Sequence, residues 1–228
     1  MKSMHNITLV NTYHCEKGNC NFNELYKIIE AINPEVIFEE LYLSDFNEYY
    51  IEKKQGSKLE TNTILKYMEN HQIEHIPVDY VEIPSQSLMD LNKSMHQKLE
   101  KRSYGYRQVH DKNIDFIFLY GFKYLNSNDY IKMNDIYENE IIETIKFIKD
   151  EKLLSINQQW LDFMNNREDV MISKIYDYCK EHDFERGLFY IGAAHRSAII
   201  DKTQKYNETS ETKLNWNYLN YGDILQWS

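Results

Sequence analysis

Polar side chains of the types that bind divalent metals or move protons lie at the ends of four short apolar or β-branched runs. Run 7–12 leads to His14, 36–38 to Glu39 and Glu40, 73–79 ends in Asp79, and 187–191 leads to His195. If these runs are parallel strands, their carboxyl ends meet at one edge of a sheet, where ligands of open α/β proteins collect. The sequence therefore predicts a site that contains two histidines and a carboxylate.

Only one of the two adjacent glutamates can face that site, because successive side chains of a strand point to opposite faces. The residues alone leave open whether this is Glu39 or Glu40.

Arg167 adds a cation to the predicted site. The spacing predicts a helix that an Asn165-x-x-Glu168 capping box opens and that runs through Cys179. Arg167 lies four residues before Met171 of the apolar stripe, on the same helical face. A guanidinium directed toward a core requires a carboxylate partner or an anionic ligand. The alternative is that Arg167 reaches water at the start of the helix.

Capping signals and periodicity place these residues on an α/β fold. An Asn21-x-x-Glu24 capping box begins a helix that ends at Asn33, because Pro34 disfavours a helical conformation of the preceding residue. With the strands on either side, this helix makes a β-α-β opening, which implies a parallel pair. Further helices are predicted over 59–70 and after 192, and an edge strand over 214–219.

The segment from about 86 to 164 is helical and charged, without an alternating strand pattern, and we interpret it as an insertion or lid. We therefore predict one α/β domain over 1–228, in which helices flank a central mixed, largely parallel sheet and a long helical insertion occupies about 86–164. His71 and His75 have i, i+4 spacing, but they lie beyond the predicted helix, and we interpret them as part of a surface turn.

Composition limits the classes of function. Lys+Arg of 26 against Asp+Glu of 36 gives a net charge of −10, which disfavours nucleic acid and anionic membranes as partners. No signal-peptide pattern or membrane-length apolar run is found, and three cysteines are too few and odd for a disulfide framework, so we expect a soluble cytoplasmic protein. The absence of G-x-x-x-x-G-K-[ST], G-x-G-x-x-G and G-x-S-x-G motifs argues against a nucleotide cofactor and an α/β hydrolase.

Five short motifs, taken in order, resemble those of the TraB/GumN and Tiki superfamily. They are N-T-Y-H at 11–14, P-E-V-I-F-E-E-L at 34–41, P-V-D at 77–79, N-R-E-D-V-M at 166–171 and G-A-A-H at 192–195. That superfamily is marked by two G-x-x-H motifs, a P-D-x-V-x-x-E-L segment and an E-R-N-x-x-M helix start. Here Asn11 replaces the usual first glycine, and Asn166-Arg167-Glu168 replaces Glu-Arg-Asn. The resemblance covers roughly 6–82 and 160–205.

The resemblance implies a hydrolase whose catalytic residues are His14, Glu40, Arg167 and His195, with Glu40 at the family's glutamate position. Members include Tiki-type metalloproteases and relatives of erythromycin esterase, in which an activated water attacks without a stable metal. In the metal-dependent version His14, Glu40 and His195 bind a divalent ion such as Mn, Co or Zn, and Arg167 holds the substrate or the developing oxyanion. In the metal-free version a histidine oriented by Glu40 is the general base.

Two other functions stay open at this point. Asn11 in place of glycine favours a non-catalytic ligand-binding or regulatory protein on the same scaffold. The insertion could instead form a dimer face, which would make the chain a homo-oligomer. The substrate, whether a small molecule or a peptide, does not follow from the residues.

Overall fold

The computed structural model describes residues 5–53, 58–79 and 84–225, and a five-stranded sheet lies at its centre. Its strands are β1 (Asn6–Thr12), β2 (Val36–Glu39), β3 (Glu74–Pro77), β4 (Arg186–Gly192) and β5 (Asn215–Tyr218). They lie in the order β3-β2-β4-β1-β5, and every neighbouring pair is parallel. The α/β class and the edge strand near the C-terminus are confirmed.

The first two strands run parallel but do not pair with each other, because β4 lies between them. Leu188 of β4 is in register with Thr8 of β1 on one side and with Ile37 of β2 on the other. Gly187 makes this close central position possible, since a Cβ there would lie 2.6 Å from Cδ1 of Ile7. The pairing predicted from the β-α-β opening is therefore wrong, although the direction of the strands is as expected.

The helices cover both faces of the sheet and form the insertion. In chain order they are α1 (Phe22–Ile32), α2 (Leu43–Phe46), α3 (Leu59–Met68), α4 (Gln86–Arg102), α5 (Tyr104–Tyr120), α6 (Phe122–Leu125), α7 (Asn128–Ile148), α8 (Glu151–Glu181) and α9 (Arg196–Thr209). A π-helical turn at Asn47–Ile51 continues α2, and a 3₁₀ turn at Ala193–His195 precedes α9. None of the helices in the described ranges combines the length and the apolar character needed to cross a membrane.

The alternation of strand side chains divides the core into two layers. Ile37 and Leu188 face α1, α3, α5 and α6, whereas Phe38 and Phe189 face α8 and α9. A third apolar cluster lies within the insertion, where α4, α5, α7 and the start of α8 pack together. The insertion thus has a small core of its own beside the two layers on the sheet.

Helix α8 is continuous from Glu151 to Glu181, and Asp150 caps it by accepting a hydrogen bond from the Lys152 N–H at 3.1 Å. No glycine or proline interrupts this stretch. The prediction that a helix begins at Asn165 is therefore wrong, because this position lies inside α8. The boundary placed at Met164 also lies inside the helix, so the insertion and the sheet share α8.

A buried polar cluster joins the insertion to the sheet. The Asn126 side chain, at the end of α6, accepts a hydrogen bond from the Asn11 N–H at 2.8 Å and donates one to the Asn11 carbonyl at 2.9 Å. The fully buried Arg196 donates to the Asn11 side chain at 2.7 Å and to the Leu219 carbonyl at 2.8 Å. Burial lowers the pKa of Arg196 to about 10. The end of β1 therefore depends on these two side chains.

We expect Asn126→Ala to lower the free energy of unfolding by about 2–4 kcal/mol, because it leaves the buried N–H and carbonyl of Asn11 without partners. Urea unfolding at neutral pH measures this loss. The matched control is Asn134→Ala, whose side chain donates only to Glu138 on the same helix surface, and about 0.5 kcal/mol or less is expected there. Equal small losses in both variants would contradict the role given to Asn126.

Candidate functional site

Glu40 lies at the centre of a buried polar cluster at the carboxyl edge of the sheet. Its Oε1 accepts a hydrogen bond from Nη2 of Arg167 at 2.7 Å, and Nε2 of His195 lies 3.4 Å from the same oxygen. Its Oε2 accepts a hydrogen bond from the Gly192 N–H at 2.7 Å, and Nε2 of His14 lies 3.5 Å away. The structure therefore brings all four predicted site residues together, with Glu40 as the glutamate that faces the site.

Each of these side chains reaches the cluster from a different element. Glu40 follows β2, His195 ends the 3₁₀ turn after β4, and Arg167 projects from α8. His14 lies in the loop after β1 with a left-handed backbone, φ 61°. Gly192 allows His14 to approach, because a Cβ at this position would lie 2.6 Å from Nε2 of His14. The glycine of the G-A-A-H motif is thus explained by close packing at the site.

Glu39 points to the opposite face, as the alternation of a strand requires. It contacts Nε2 of His75 at 2.8 Å and accepts hydrogen bonds from the Tyr50 hydroxyl at 3.0 Å and the Thr61 hydroxyl at 3.4 Å. His75 belongs to β3, and its side chain is 4% exposed. The interpretation of His75 as part of a surface turn is therefore wrong.

Each site histidine has a second buried carboxylate on its other nitrogen. Nδ1 of His14 lies 3.2 Å from Glu60 on α3, and Nδ1 of His195 donates to Glu168 on α8 at 2.7 Å. A hydrogen bond thus holds the ring of His195, whereas Glu60 faces His14 as an ion pair whose buried carboxylate oxygens have no hydrogen-bond partner among the described residues. The local sequence pattern indicates only a capping role for Glu168. It gives no signal for Glu60, because the contact of Glu60 with His14 is made across the fold.

Arg167 is held by two carboxylates from the sheet edge. Its Nε and Nη2 donate to the two oxygens of Asp79 at 3.0 and 2.6 Å, and Nη2 also reaches Glu40. The rings of Tyr42 and Phe163 lie 5.9 and 5.7 Å from its guanidinium carbon. Arg167 thus has the carboxylate partners that its position on the apolar face of α8 requires, and it does not extend into water.

Charges in the site are balanced when both histidines carry a proton. The carboxylates are those of Glu40, Glu60, Asp79 and Glu168, and the cations are those of His14, His195, Arg167 and Lys202, which lies 3.3 Å from Glu168. Four buried carboxylates therefore face three cations and a fourth, Lys202, that is shared with the exposed Asp169 at 2.7 Å. Removal of either imidazole proton leaves a net negative charge in a buried place, which opposes that removal.

The pKa values follow this balance. Burial by itself lowers the pKa of His14, but Glu40 and Glu60 outweigh it and raise this pKa to about 10. Burial of His195 is likewise outweighed by Glu168 and Glu40, which raise its pKa to about 9. Burial raises the pKa of Glu40, yet the two histidines hold it well below its usual range. At neutral pH the resting site therefore contains two imidazolium ions and an ionised Glu40.

The predicted metal ligands His14, Glu40 and His195 lie close together, but they are engaged with one another. A metal-bound histidine must give up the proton on the binding nitrogen, so a divalent ion here would have to displace a proton from each histidine. Glu40 is also already bound by the guanidinium of Arg167 and by a backbone N–H. Across the described ranges 5–53, 58–79 and 84–225, no group of three or more His, Cys, Asp or Glu side chains is placed to hold a metal ion. The metal stays a prediction.

Access to the site differs among its members. The His14 side chain is 44% exposed, whereas those of Glu40 and His195 are 8% and 4% exposed. His14 is therefore the histidine that a water or substrate reaches first. Asn11 occupies the glycine position of the first G-x-x-H motif. Its side chain points away from the site toward Arg196, so it gives no support to a non-catalytic binding function.

The chain matches none of the protein-family models, curated proteins or solved structures with which it was compared. The resemblance to the TraB/GumN and Tiki superfamily therefore stays a prediction.

The raised pKa of His195 has a consequence for stability. The folded protein binds this proton more tightly than the unfolded chain, whose ordinary value is about 6.5. The resulting stabilisation is complete below that value and is lost as the pH rises through about 9. We expect the free energy of unfolding to fall by on the order of 2 kcal/mol between about pH 6.5 and 9.5.

Urea unfolding across this range measures the decline, and His195→Gln should reduce it to the part that comes from the raised pKa of His14. His182→Gln, at an exposed position near the end of α8, is the matched control and should keep it. An unchanged decline in His195→Gln would show that another group is responsible.

Proposed function

We propose that this protein is a hydrolase that cleaves an ester or amide bond with a histidine-activated water and without a metal. One observation carries the proposal: two histidines, each held at Nδ1 by a buried carboxylate, direct Nε2 at the same buried glutamate beside an arginine. A carboxylate on Nδ1 fixes the ring and stabilises the imidazolium that forms in general-base catalysis. The roles of the individual residues below are part of this proposal.

His14 is the proposed general base, because it is the exposed member of the site. In its neutral form, Nε2 accepts a proton from the attacking water while the water oxygen bonds to the substrate carbonyl carbon. The imidazolium then donates this proton to the leaving alcohol or amine as the tetrahedral intermediate collapses. Glu60 positions the ring and stabilises its cationic form.

Arg167 and protonated His195 are the proposed oxyanion stabilisers. Nη2 of Arg167 and Nε2 of His195 converge on one oxygen of Glu40, at 2.7 and 3.4 Å. Both donors face Glu40 in the resting site, so the proposal requires the carboxylate of Glu40 to move aside when the substrate binds. The two cations, still held by Asp79 and Glu168, then stabilise the negative charge that develops. Asp79 and Glu168 are positioning residues for this pair.

A metal-dependent hydrolase is the second candidate. A carboxylate on Nδ1, as found at both histidines, is also the usual outer contact of a metal-bound histidine. This version requires both histidines to lose a proton and Glu40 to be shared between the metal and Arg167. We therefore rank it below the metal-free reaction.

The metal-free proposal predicts a specific pH dependence of kcat/KM. Because the base form of His14 appears only near its pKa of about 10, kcat/KM should rise from neutral pH toward that value, about tenfold per pH unit. Hydrolysis of an activated ester such as p-nitrophenyl acetate measures this profile. His14→Gln should lower kcat/KM by about 10²-fold or more. Glu60→Gln should shift the rising limb to lower pH, because it removes a carboxylate that raises the pKa.

The shift in Glu60→Gln separates a positioning role from a structural one, since mere loss of packing would lower the rate without moving the limb. His182→Gln is again the control. A profile that is unchanged in both His14→Gln and Glu60→Gln would overturn the assignment of His14.

Elemental analysis of protein purified without a metal-affinity tag distinguishes the two candidates. We expect substoichiometric metal, and activity that neither a chelator nor added Mn²⁺, Co²⁺ or Zn²⁺ changes. Near-stoichiometric metal that disappears in both His14→Gln and His195→Gln would instead establish the metal-dependent reaction.

A further inference from the structure

A groove of about 500 Å³ lies between the insertion and the site. Its walls come from α4, α7, α8 and the start of α9, and Glu168 and His195 are among the residues that line it. This volume is within the range of small-molecule binding sites. Since Glu168 holds the ring of His195, a molecule in the groove would lie against one of the two histidine–carboxylate pairs.

Carboxylates outnumber cations among the side chains that line the groove, where protonated His195 is a cation. Asp135, Glu138 and Asp201 lie on its walls in addition to Glu168, and no lysine or arginine is among the described residues that line it. Glu168 is paired with His195 and Lys202. The other three carboxylates take part in none of the ion pairs that the described residues form. The groove therefore carries a local negative charge.

The groove also has an apolar wall. Trp160, Leu161 and Ile141 line it, and Leu161 is 43% exposed. Tyr137 of α7 also lines the groove, as do Asp135 and Glu138, which lie one helical turn apart on the same helix. Aromatic faces next to carboxylates are suited to a positively charged group with an apolar body, because both the ring quadrupole and the carboxylates attract the cation.

From this charge complementarity we infer that the groove binds a small amphipathic ammonium compound, with the ammonium near Asp135 and Asp201 and the apolar body on Trp160. We also infer that this compound is the uncleaved part of the substrate, and that part of the inference rests on the proposed function. Binding itself does not depend on hydrolysis, and the two are tested separately.

The probe is phenylbutylammonium, which has no ester or amide bond. Its neutral and anionic counterparts are phenylbutanol and phenylbutyrate. Calorimetry on the full chain should give affinity in the order ammonium, alcohol, carboxylate, with the ammonium at least about fivefold tighter than the alcohol. The preference should weaken at high salt, because ions screen exposed charges.

Matched variants locate the site. Asp135→Asn and Asp201→Asn should each weaken binding of the ammonium about two- to fivefold and leave that of the alcohol unchanged. Trp160→Ala should lower the affinity for both the ammonium and the alcohol about tenfold. The control, Asp115→Asn, removes the same charge from an exposed position on α5 outside the groove and should change neither affinity.

Equal affinity for the ammonium and the alcohol, or binding of the ammonium that survives both aspartate substitutions, would overturn the inference. Absence of ammonium binding would overturn it as well. If the ammonium binds as expected but no ester that carries it is hydrolysed, the groove assignment stands and the proposed hydrolase fails. If neutral esters are hydrolysed and the ammonium does not bind, the proposed hydrolase stands and the groove assignment fails.

Discussion

The ionised carboxylate of Glu40 is the feature on which the rest of the site depends. A carboxylate that is 8% exposed needs hydrogen bonds and countercharges to offset the loss of its hydration. It obtains them from four separate places: the loop after β1, the end of β4, the 3₁₀ turn and α8. Because the donors come from distant parts of the chain, the carboxylate ties the sheet edge to the helices that cover it.

The countercharges in turn require carboxylates of their own. Each imidazolium contacts Glu40 through Nε2 and is held by Glu60 or Glu168 through Nδ1. The balance of charge keeps both protons in place at neutral pH. The same balance sets the chemistry, since a base appears only when one proton leaves and the neighbouring cations remain to stabilise an anion.

Helix α8 joins this network to the insertion. Its second half packs on the sheet through Met171 and Ile175 and carries Arg167 and Glu168 at the border of that contact. Its first half lines the acidic groove with Trp160. A single uninterrupted helix therefore fixes the distance between the groove and the histidines. On the opposite side, Asn126 and Arg196 fix the end of β1, from which His14 projects.

The sequence by itself determined where the strands lie and which polar residues follow them. β-branched runs specify strands locally, capping signals specify helix ends locally, and strand ends of a parallel sheet share one edge. His14, His195 and one glutamate of the pair 39 and 40 could therefore be placed together. Tertiary structure alone decided what completes them: that β4 separates β1 and β2, that α8 continues through the apparent cap at Asn165, and that Glu60 holds His14. Strand order and ion pairs of this kind arise from contacts between residues far apart in the chain, and no local pattern encodes them.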